Sequence, residues 1–333
     1  MDGFDPALSR STLTRRRLIT AALALGLTPR IAHAQTYPSH LTRVLVGFSA
    51  GSISDLLARA LAANLEKEFG QPVIVENRPG AGGLLAARAL MQSPPDGYTL
   101  LVVSASYAAA PAITRDLGFD PIQDLSGITR IANVPSILVV NPKLGAKTLA
   151  DLLQLLRQSP GTLNYSSPGR GSANHFAGEY FLSKAKVKAT HVPYRGVPEA
   201  VLAVVAGDCQ FSCVPAPNSL SLIQDGKLVA LAATTSERSK LLPDMPTIAE
   251  AGVPGYQFDP WFGVLARAGT PPEAHKKLVD TSVRVLSTPD MQARFAPLGA
   301  DISTMPGASF DTYIKQEIAK FRDIAKSANI EPA

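Results

Sequence analysis

The pattern Gly-x-Ser-x-Gly occurs at Gly47, Ser49 and Gly51, between a predicted strand and a predicted helix. This spacing is typical of the nucleophile elbow of α/β hydrolases, which exposes a serine hydroxyl at a sharp turn. Histidines that could serve as its base follow downstream: His175, His191 and His275. None of them follows an evident acid in the expected order, and no strand upstream of Ser49 can supply an oxyanion loop. We therefore predict no catalytic residue, and a secreted serine hydrolase using Ser49 is kept as an alternative.

Two loops rich in hydroxyls and backbone amides precede predicted helices, at residues 48–55 and 166–175. In open α/β sheets, ligands bind where strands lead into helices, because loop amides and the positive helix end converge there. Two such helix N-termini facing each other would hold an anion without a dedicated cation. Either loop alone is also explained by a tight turn with a capped helix.

Metal, nucleotide and redox chemistry find little support in the sequence. The histidines and cysteines show neither H-x-x-x-H nor C-x-x-C spacing, and residues 80–83 do not form G-x-G-x-x-G. Cys209 and Cys213 lie in one predicted strand, about 13 Å apart at about 3.3 Å per residue, which is too far for a disulfide. We predict that both are small packed side chains, and that the protein has no metal site and no cofactor.

Alternating strand and helix signals position these loops. Strands are predicted at residues 41–48, 72–76 and 98–104, with helices ending at Phe69 and spanning 84–92. This β-α-β-α-β order indicates a parallel sheet with helices on its faces. Next come a strand at 137–140, a helix at 149–158 and a break at Pro160 and Gly161. A second α/β series begins after this break. The 299 residues that follow position 34 are enough for two domains of about 100–200 residues each.

The first 34 residues have the pattern of an export signal. Arg15, Arg16 and Arg17 precede an apolar run at 18–27, which is too short for a membrane-spanning helix, and residues 32–34 read Ala-His-Ala. Cleavage would leave a mature chain that begins near Gln35 in the periplasm, while Sec and twin-arginine export both remain open. Removing five arginines and two aspartates lowers the formal charge from +5 to +2, which gives no case for nucleic-acid binding.

At these same loops the chain resembles the Bug-type substrate-binding proteins of tripartite tricarboxylate transporters, over essentially the whole mature sequence. The matching segments are residues 76–83 (Glu-Asn-Arg-Pro-Gly-Ala-Gly-Gly), 95–100, 164–172, 191–196, 242–247, 250–256 and 261–263. The resemblance implies a type II periplasmic-binding-protein fold, an α/β fold with two lobes, a hinge and an interlobe ligand cleft, the Venus-flytrap arrangement. Lobe 1 is expected at residues 35–139 plus 262–333, and lobe 2 at 140–261.

The resemblance also implies a small carboxylate ligand, membrane transporter subunits as partners, and a monomeric receptor. The ligand-binding residues expected from it are Phe48, Ser49, Gly51, Ser52, Ser54, Asp55, Ser106, Ser167, Gly169, Gly171, Ser172, His175 and Val214. Val214 stands where amino-acid-binding members carry an amine-pairing Asp, so we expect a ligand without an amine. Gly47, Ser49, Ser52 and Ile53 depart from the family's usual first loop, whereas Asp55 is kept. A sensor that delivers its ligand to a signalling partner would share every one of these residues.

Overall fold

The computed structural model describes residues 37–238 and 243–332, so the predicted export signal lies outside the described residues. The strands are β1 Thr42–Val46, β2 Val73–Asn77, β3 Thr99–Ser104, β4 Leu125–Asn133, β5 Ser136–Val140, β6 Asn164–Ser167, β7 Thr190–Pro193, β8 Phe211–Pro215, β9 Val229–Ala233, β10 Trp261–Arg267 and β11 Asp301–Pro306. The α-helices are α1 Ile53–Phe69, α2 Leu84–Met91, α3 Ala105–Ile113, α4 Leu149–Gln158, α5 Ala173–Ala185, α6 Val197–Ala206, α7 Ala216–Gln224, α8 Pro272–Leu286, α9 Pro289–Phe295 and α10 Gly307–Ser327.

One sheet has six strands in the order β11-β4-β10-β3-β1-β2. β1 pairs in parallel with both β2 and β3, as the β-α-β-α-β pattern predicted. β10 is antiparallel to β3 and β4, which makes the sheet mixed rather than wholly parallel. The carboxyl ends of β1 and β3 therefore lie side by side, and the loops that follow them share one edge of the sheet.

The second sheet has five strands in the order β7-β6-β8-β5-β9. β6 runs parallel to β7 and β8, whereas β5 is antiparallel to β8 and β9. The chain passes between the sheets at residues 134–135 and again at 234–260. β5 belongs to the second sheet, although the expected lobe 1 extended to residue 139. The lobe boundaries themselves stay a prediction.

Helix α1 shows how closely the local sequence specifies an element. The four-residue spacing of Leu57, Leu61, Leu65 and Phe69 predicts one buried face, and the three leucines are buried while Phe69 is partly buried. Gly70 ends the helix in the left-handed conformation, with φ 63°, and donates its N–H to the Glu66 carbonyl. A glycine carries no Cβ penalty there, so it is the expected C-cap residue.

Three elements were not predicted from the sequence: α3, β4 and β11. Helix α3 contains Pro111, which breaks the helical signal, and β11 is a partly exposed edge strand ending in Pro306. β4 carries polar side chains such as Arg130 within its nine residues. The Arg130 guanidinium donates hydrogen bonds to the Ser303 carbonyl and hydroxyl of β11, so tertiary contacts stabilise this strand.

Both cysteines are buried and free, as predicted. β8 begins at Phe211, so Cys209 precedes the strand instead of lying within it. Burial raises the pKa of the Cys213 thiol to about 12, which keeps it protonated at neutral pH. Within the described part of the chain, no helix is long and apolar enough to cross a membrane.

Candidate functional site

The two loops singled out in the sequence have the same local structure. The first loop (residues 48–55) follows β1, and the second loop (residues 166–175) includes the end of β6 and the start of α5. Gly51 and Gly171 are both left-handed, with φ 80° and 81°. The next residue in each loop is a serine N-cap in an extended conformation, Ser52 before α1 and Ser172 before α5.

Two side-chain hydrogen bonds in the first loop have equivalents in the second loop. The Ser52 hydroxyl accepts from the Asp55 N–H at 3.3 Å, and the Ser172 hydroxyl accepts from the His175 N–H at 3.2 Å. The Gly51 N–H donates to Oδ2 of Asp55 at 2.9 Å. The Gly171 N–H donates to Nδ1 of His175 at 3.2 Å. The repeated pattern Gly-Ser-x-x-Asp/His is the sequence signal of this equivalence, which was not predicted.

Two backbone N–H groups at the start of each helix have no acceptor among the described residues. They belong to Ile53 and Ser54 in the first loop, and to Ala173 and Asn174 in the second. A helix N-terminus carries a positive partial charge, and its free N–H groups donate to anions. Each loop is therefore suited to bind one carboxylate group.

Asp55 is only 2% exposed, and both of its carboxylate oxygens accept hydrogen bonds within the protein. Oδ2 accepts from Gly51 and from Nε of Arg59, at 2.9 and 3.0 Å, and Oδ1 accepts from Nδ2 of Asn77 at 2.9 Å. Burial alone would raise the pKa of this carboxyl group, but the hydrogen bonds from Arg59, Gly51 and Asn77 outweigh burial and lower it. Asp55 is thus a charged internal acceptor at neutral pH, and a direct ligand contact by its side chain stays a prediction.

The second loop has a neutral histidine in the equivalent position. The His175 ring lies 4.1 Å from the His191 ring between centroids, and Nε2 of His191 lies 2.7 Å from the Ser167 hydroxyl. Burial, then the neighbouring His191 and Arg170, lowers the pKa of His175 to about 3. Burial and Arg170 lower the pKa of His191 to about 4. Both imidazoles are therefore neutral at pH 7. The second loop thus has an uncharged His175 at the position where the first loop has the charged Asp55.

Ser106 lies at the edge of the first sheet that also carries the first loop. It follows β3, the parallel neighbour of β1, and its N–H donates to the hydroxyl of Ser104 at 3.3 Å. Ser104 is the N-cap residue of α3. A third serine-capped helix therefore starts beside the first loop.

Val214 is 1% exposed and packs in an apolar cluster that includes Ile137 and Val139. The residues from Cys213 to Asn218 at this end of β8 include no carboxylate. The Asn174 side chain joins the second loop to this strand by donating to the Cys213 carbonyl at 2.7 Å. A ligand contact by the Val214 side chain stays a prediction.

The expected contact residues divide by exposure. Partly or fully exposed are Phe48, Ser49, Gly51, Ser52, Gly169 and Ser172. Buried are Ser54, Asp55, Ser106, Ser167, Gly171, His175 and Val214. The exposed set carries the hydroxyls that a ligand can reach, and the buried set includes the side chains that hold the two loops.

The residues around Ser49 do not form a hydrolase triad among the described side chains. The Ser49 hydroxyl has no hydrogen bond there, and the three candidate bases have other partners. Nε2 of His275 bonds to the Ser126 hydroxyl at 2.9 Å, and Nε2 of His191 bonds to the Ser167 hydroxyl. Nδ1 of His175 accepts from the Gly171 N–H. The described residues also contain no group of three or more His, Cys, Asp or Glu that could hold a metal ion.

Comparison with known proteins identifies the family of this chain. The family model described as "Tripartite tricarboxylate transporter family receptor" matches residues 57–330. The chain belongs to this family. It is a periplasmic solute-binding receptor of the Bug type with the two-lobed, type II periplasmic-binding α/β fold, as the resemblance in the sequence implied.

Three relatives illustrate the similarity. Protein BugT of Bordetella pertussis is 36% identical over 242 residues, which cover 72% of this chain and 74% of BugT. The R. palustris protein Rpa4515, solved with adipate, is 34% identical with a TM-score of 0.79, covering 89% of this chain and 100% of that one. MatC of Rhodopseudomonas palustris, solved with bound malate, is 31% identical with a TM-score of 0.76, covering 86% and 99%.

Proposed function

We propose that this receptor captures a small carboxylate anion between the first and second loops and delivers it to the membrane subunits of a tripartite tricarboxylate-type transporter. The observation that carries the proposal is the equivalence of the two loops, each with two free N–H groups at a serine-capped helix start. Hydrogen bonds from such groups to a charged acceptor each contribute about 1.5–3 kcal/mol. Four of them can bind a dianion without a dedicated cation.

The ligand we propose is a carboxylate without an amine. The Asp55 carboxylate is already bonded to three donors, and no acid follows β8 at Val214. A buried ammonium group would therefore lack a counter-ion, and the cost of removing it from water would not be offset. The adipate and malate present in the related structures are both acids of this kind.

We further propose that the mature protein acts as a monomer, with no catalytic step and no cofactor. Its export signal would be residues 1–34, lobe 1 residues 35–139 plus 262–333, and lobe 2 residues 140–261. N-terminal sequencing of protein recovered from the periplasm tests the export proposal. A first residue near Gln35 supports it, and an intact Met1 on the exported protein would overturn it.

Titration calorimetry of the purified receptor tests the ligand class. Adipate and malate are compared with adipamide, which keeps the carbon chain but lacks both charges, and with aspartate, which adds an amine to a dicarboxylate. We expect at least one diacid to bind, and adipamide and aspartate to bind at least about a hundredfold more weakly than it does. Equal binding of adipamide would contradict recognition of the ligand through its carboxylate groups. Equal binding of aspartate would contradict the exclusion of ligands that carry an amine.

A further inference from the structure

The segment 76–83, one of the segments that match the family, contacts the first loop at both of its ends. Its residue Asn77 ends β2 and reaches the loop at two points. Nδ2 of Asn77 donates to the Phe48 carbonyl at 3.0 Å and to Oδ1 of Asp55 at 2.9 Å. Oδ1 of Asn77 accepts from the Arg59 guanidinium at 3.1 Å. One amide side chain thus connects the beginning of the loop to the first turn of α1.

These contacts determine which way the Asn77 amide is turned. An asparagine amide has two N–H donors, and here one points to a carbonyl and the other to a carboxylate. Turning it over would place its oxygen against Phe48 O and the Asp55 carboxylate, and its NH₂ group against Arg59. Only an asparagine with this orientation satisfies all three neighbours.

The other end of the segment supports the same loop through close backbone packing. A Cβ atom added to Gly47 would overlap the Cα atom of Gly83, so the two glycine backbones lie in direct contact. The Arg78 N–H donates to the Val46 carbonyl at 2.8 Å and extends the pairing of β1 and β2 to the start of the loop. The first loop is therefore held from behind by residues at both ends of one segment.

We infer that Asn77 is a positioning residue for ligand binding, which holds the first loop so that the Ile53 and Ser54 N–H groups are directed at the ligand. This inference rests on the proposed function for its ligand but not for its effect on the loop. A loop already held in its binding conformation loses less conformational entropy when the ligand binds, and so binds more tightly. Asn77 itself makes no ligand contact in this scheme.

The substitution Asn77→Asp tests the inference with little change in shape. It replaces the two donors by acceptors and places a second carboxylate beside Asp55. The matched control is Asn141→Asp. Nδ2 of Asn141 donates to the Val204 and Val205 carbonyls at 2.6 and 3.1 Å, and Oδ1 accepts from the Lys143 N–H, so similar bonds are lost away from both loops. In the double variant Asp55→Asn/Asn77→Asp, the amide at position 55 can donate to the carboxylate at position 77. The hydrogen bond between the two side chains is then restored with donor and acceptor exchanged.

Two measurements are made on each folded variant. Hydrogen exchange of the ligand-free protein is followed in peptides that cover residues 48–55 and 166–175, and calorimetry measures the affinity for adipate or malate. Asn77→Asp should speed exchange in the first peptide alone and weaken binding by at least about tenfold. Asn141→Asp should change neither, and the double variant should recover part of both effects.

The remaining outcomes separate this inference from the proposed function. If the wild-type protein binds no carboxylate, the proposed function fails, and the exchange data alone decide whether Asn77 holds the loop. Unchanged exchange in Asn77→Asp overturns the inference even if affinity falls, because the effect would then not pass through the loop. Faster exchange with unchanged affinity overturns it as well. Should Asn77→Asp fail to fold, Asn77→Ser is measured in its place against the same criteria.

Discussion

The imidazole rings of His175 and His191 lie 4.1 Å apart between centroids, and both are neutral in the folded protein at pH 7. Burial is the first cause for both rings, and Arg170 contributes to each, so their pKa values fall to about 3 and about 4. In an unfolded chain a histidine titrates near a pKa of about 6.5. Below that pH, these two histidines therefore bind more protons in the unfolded state than in the folded state.

We expect the stabilisation from neutral His175 and His191 to be complete above about pH 6.5 and to decrease as the pH falls toward about 4. Each histidine contributes at most about 1.4 kcal/mol per pH unit, and His191 less, because it is partly exposed. Urea unfolding at several pH values from about 7.5 to 4.5 measures this slope. The variant His175→Gln/His191→Gln should flatten it. The same slope in the double variant would show that other groups cause the acid sensitivity.

The two left-handed glycines provide a matched pair of substitutions. Alanine at Gly51 has open space around its Cβ, so Gly51→Ala should cost only the left-handed strain of about 1–2 kcal/mol. Alanine at Gly171 adds an overlap with Cδ1 of Ile113 in α3. We expect Gly171→Ala to lower the free energy of unfolding more than Gly51→Ala does.

A double variant identifies the source of that difference. Shortening Ile113 in Ile113→Val/Gly171→Ala removes the overlapping Cδ1 atom, so part of the extra cost of Gly171→Ala should be recovered. Chemical denaturation of the single and double variants gives the coupling free energy. Additive effects of the two substitutions would contradict the contact between Ile113 and the second loop.

Proline at position 173 removes one of the free N–H groups while leaving the helix start in place. Ser172 is extended, with ψ 156°, and proline is tolerated at the first helical position after such a residue. Ala173→Pro should therefore fold, and it should weaken binding of the diacid by roughly tenfold to a hundredfold, the value of one hydrogen bond to a charged group. Ala173→Gly keeps the N–H and serves as the control in calorimetry. Equal affinity of Ala173→Pro and Ala173→Gly would show that this N–H does not contact the ligand.

Ser49 should have no hydrolytic activity, because the candidate bases His175, His191 and His275 all bond to other residues. We expect wild type and Ser49→Ala to show the same background rate with small activated esters in a chromogenic assay. Turnover by the wild type that disappears in Ser49→Ala would support the hydrolase alternative. It would contradict the proposal that the protein binds its ligand without a catalytic step.

The sequence by itself determined the features that depend on contiguous residues. The α/β class, the start and end of α1, and the two loops before α1 and α5 follow from serine caps, glycine positions and hydrophobic spacing. The family resemblance also came from contiguous segments, and the family match confirms it. These signals are readable because a helix cap or a turn is formed by hydrogen bonds among residues four or fewer apart.

Only the tertiary structure decided which distant residues become neighbours. The hydrogen bond between Asp55 and Asn77, which lie 22 positions apart, was not predicted, and a ligand contact by Asp55 stays a prediction. The antiparallel placement of β10 beside β3 and β4 was likewise not predicted. Strand order and the direction of a side chain depend on packing between segments that are far apart in the chain, and a local pattern does not specify that packing. The first loop is therefore recognisable from its own residues, but what holds it in place is set by a strand that lies beside it only after folding.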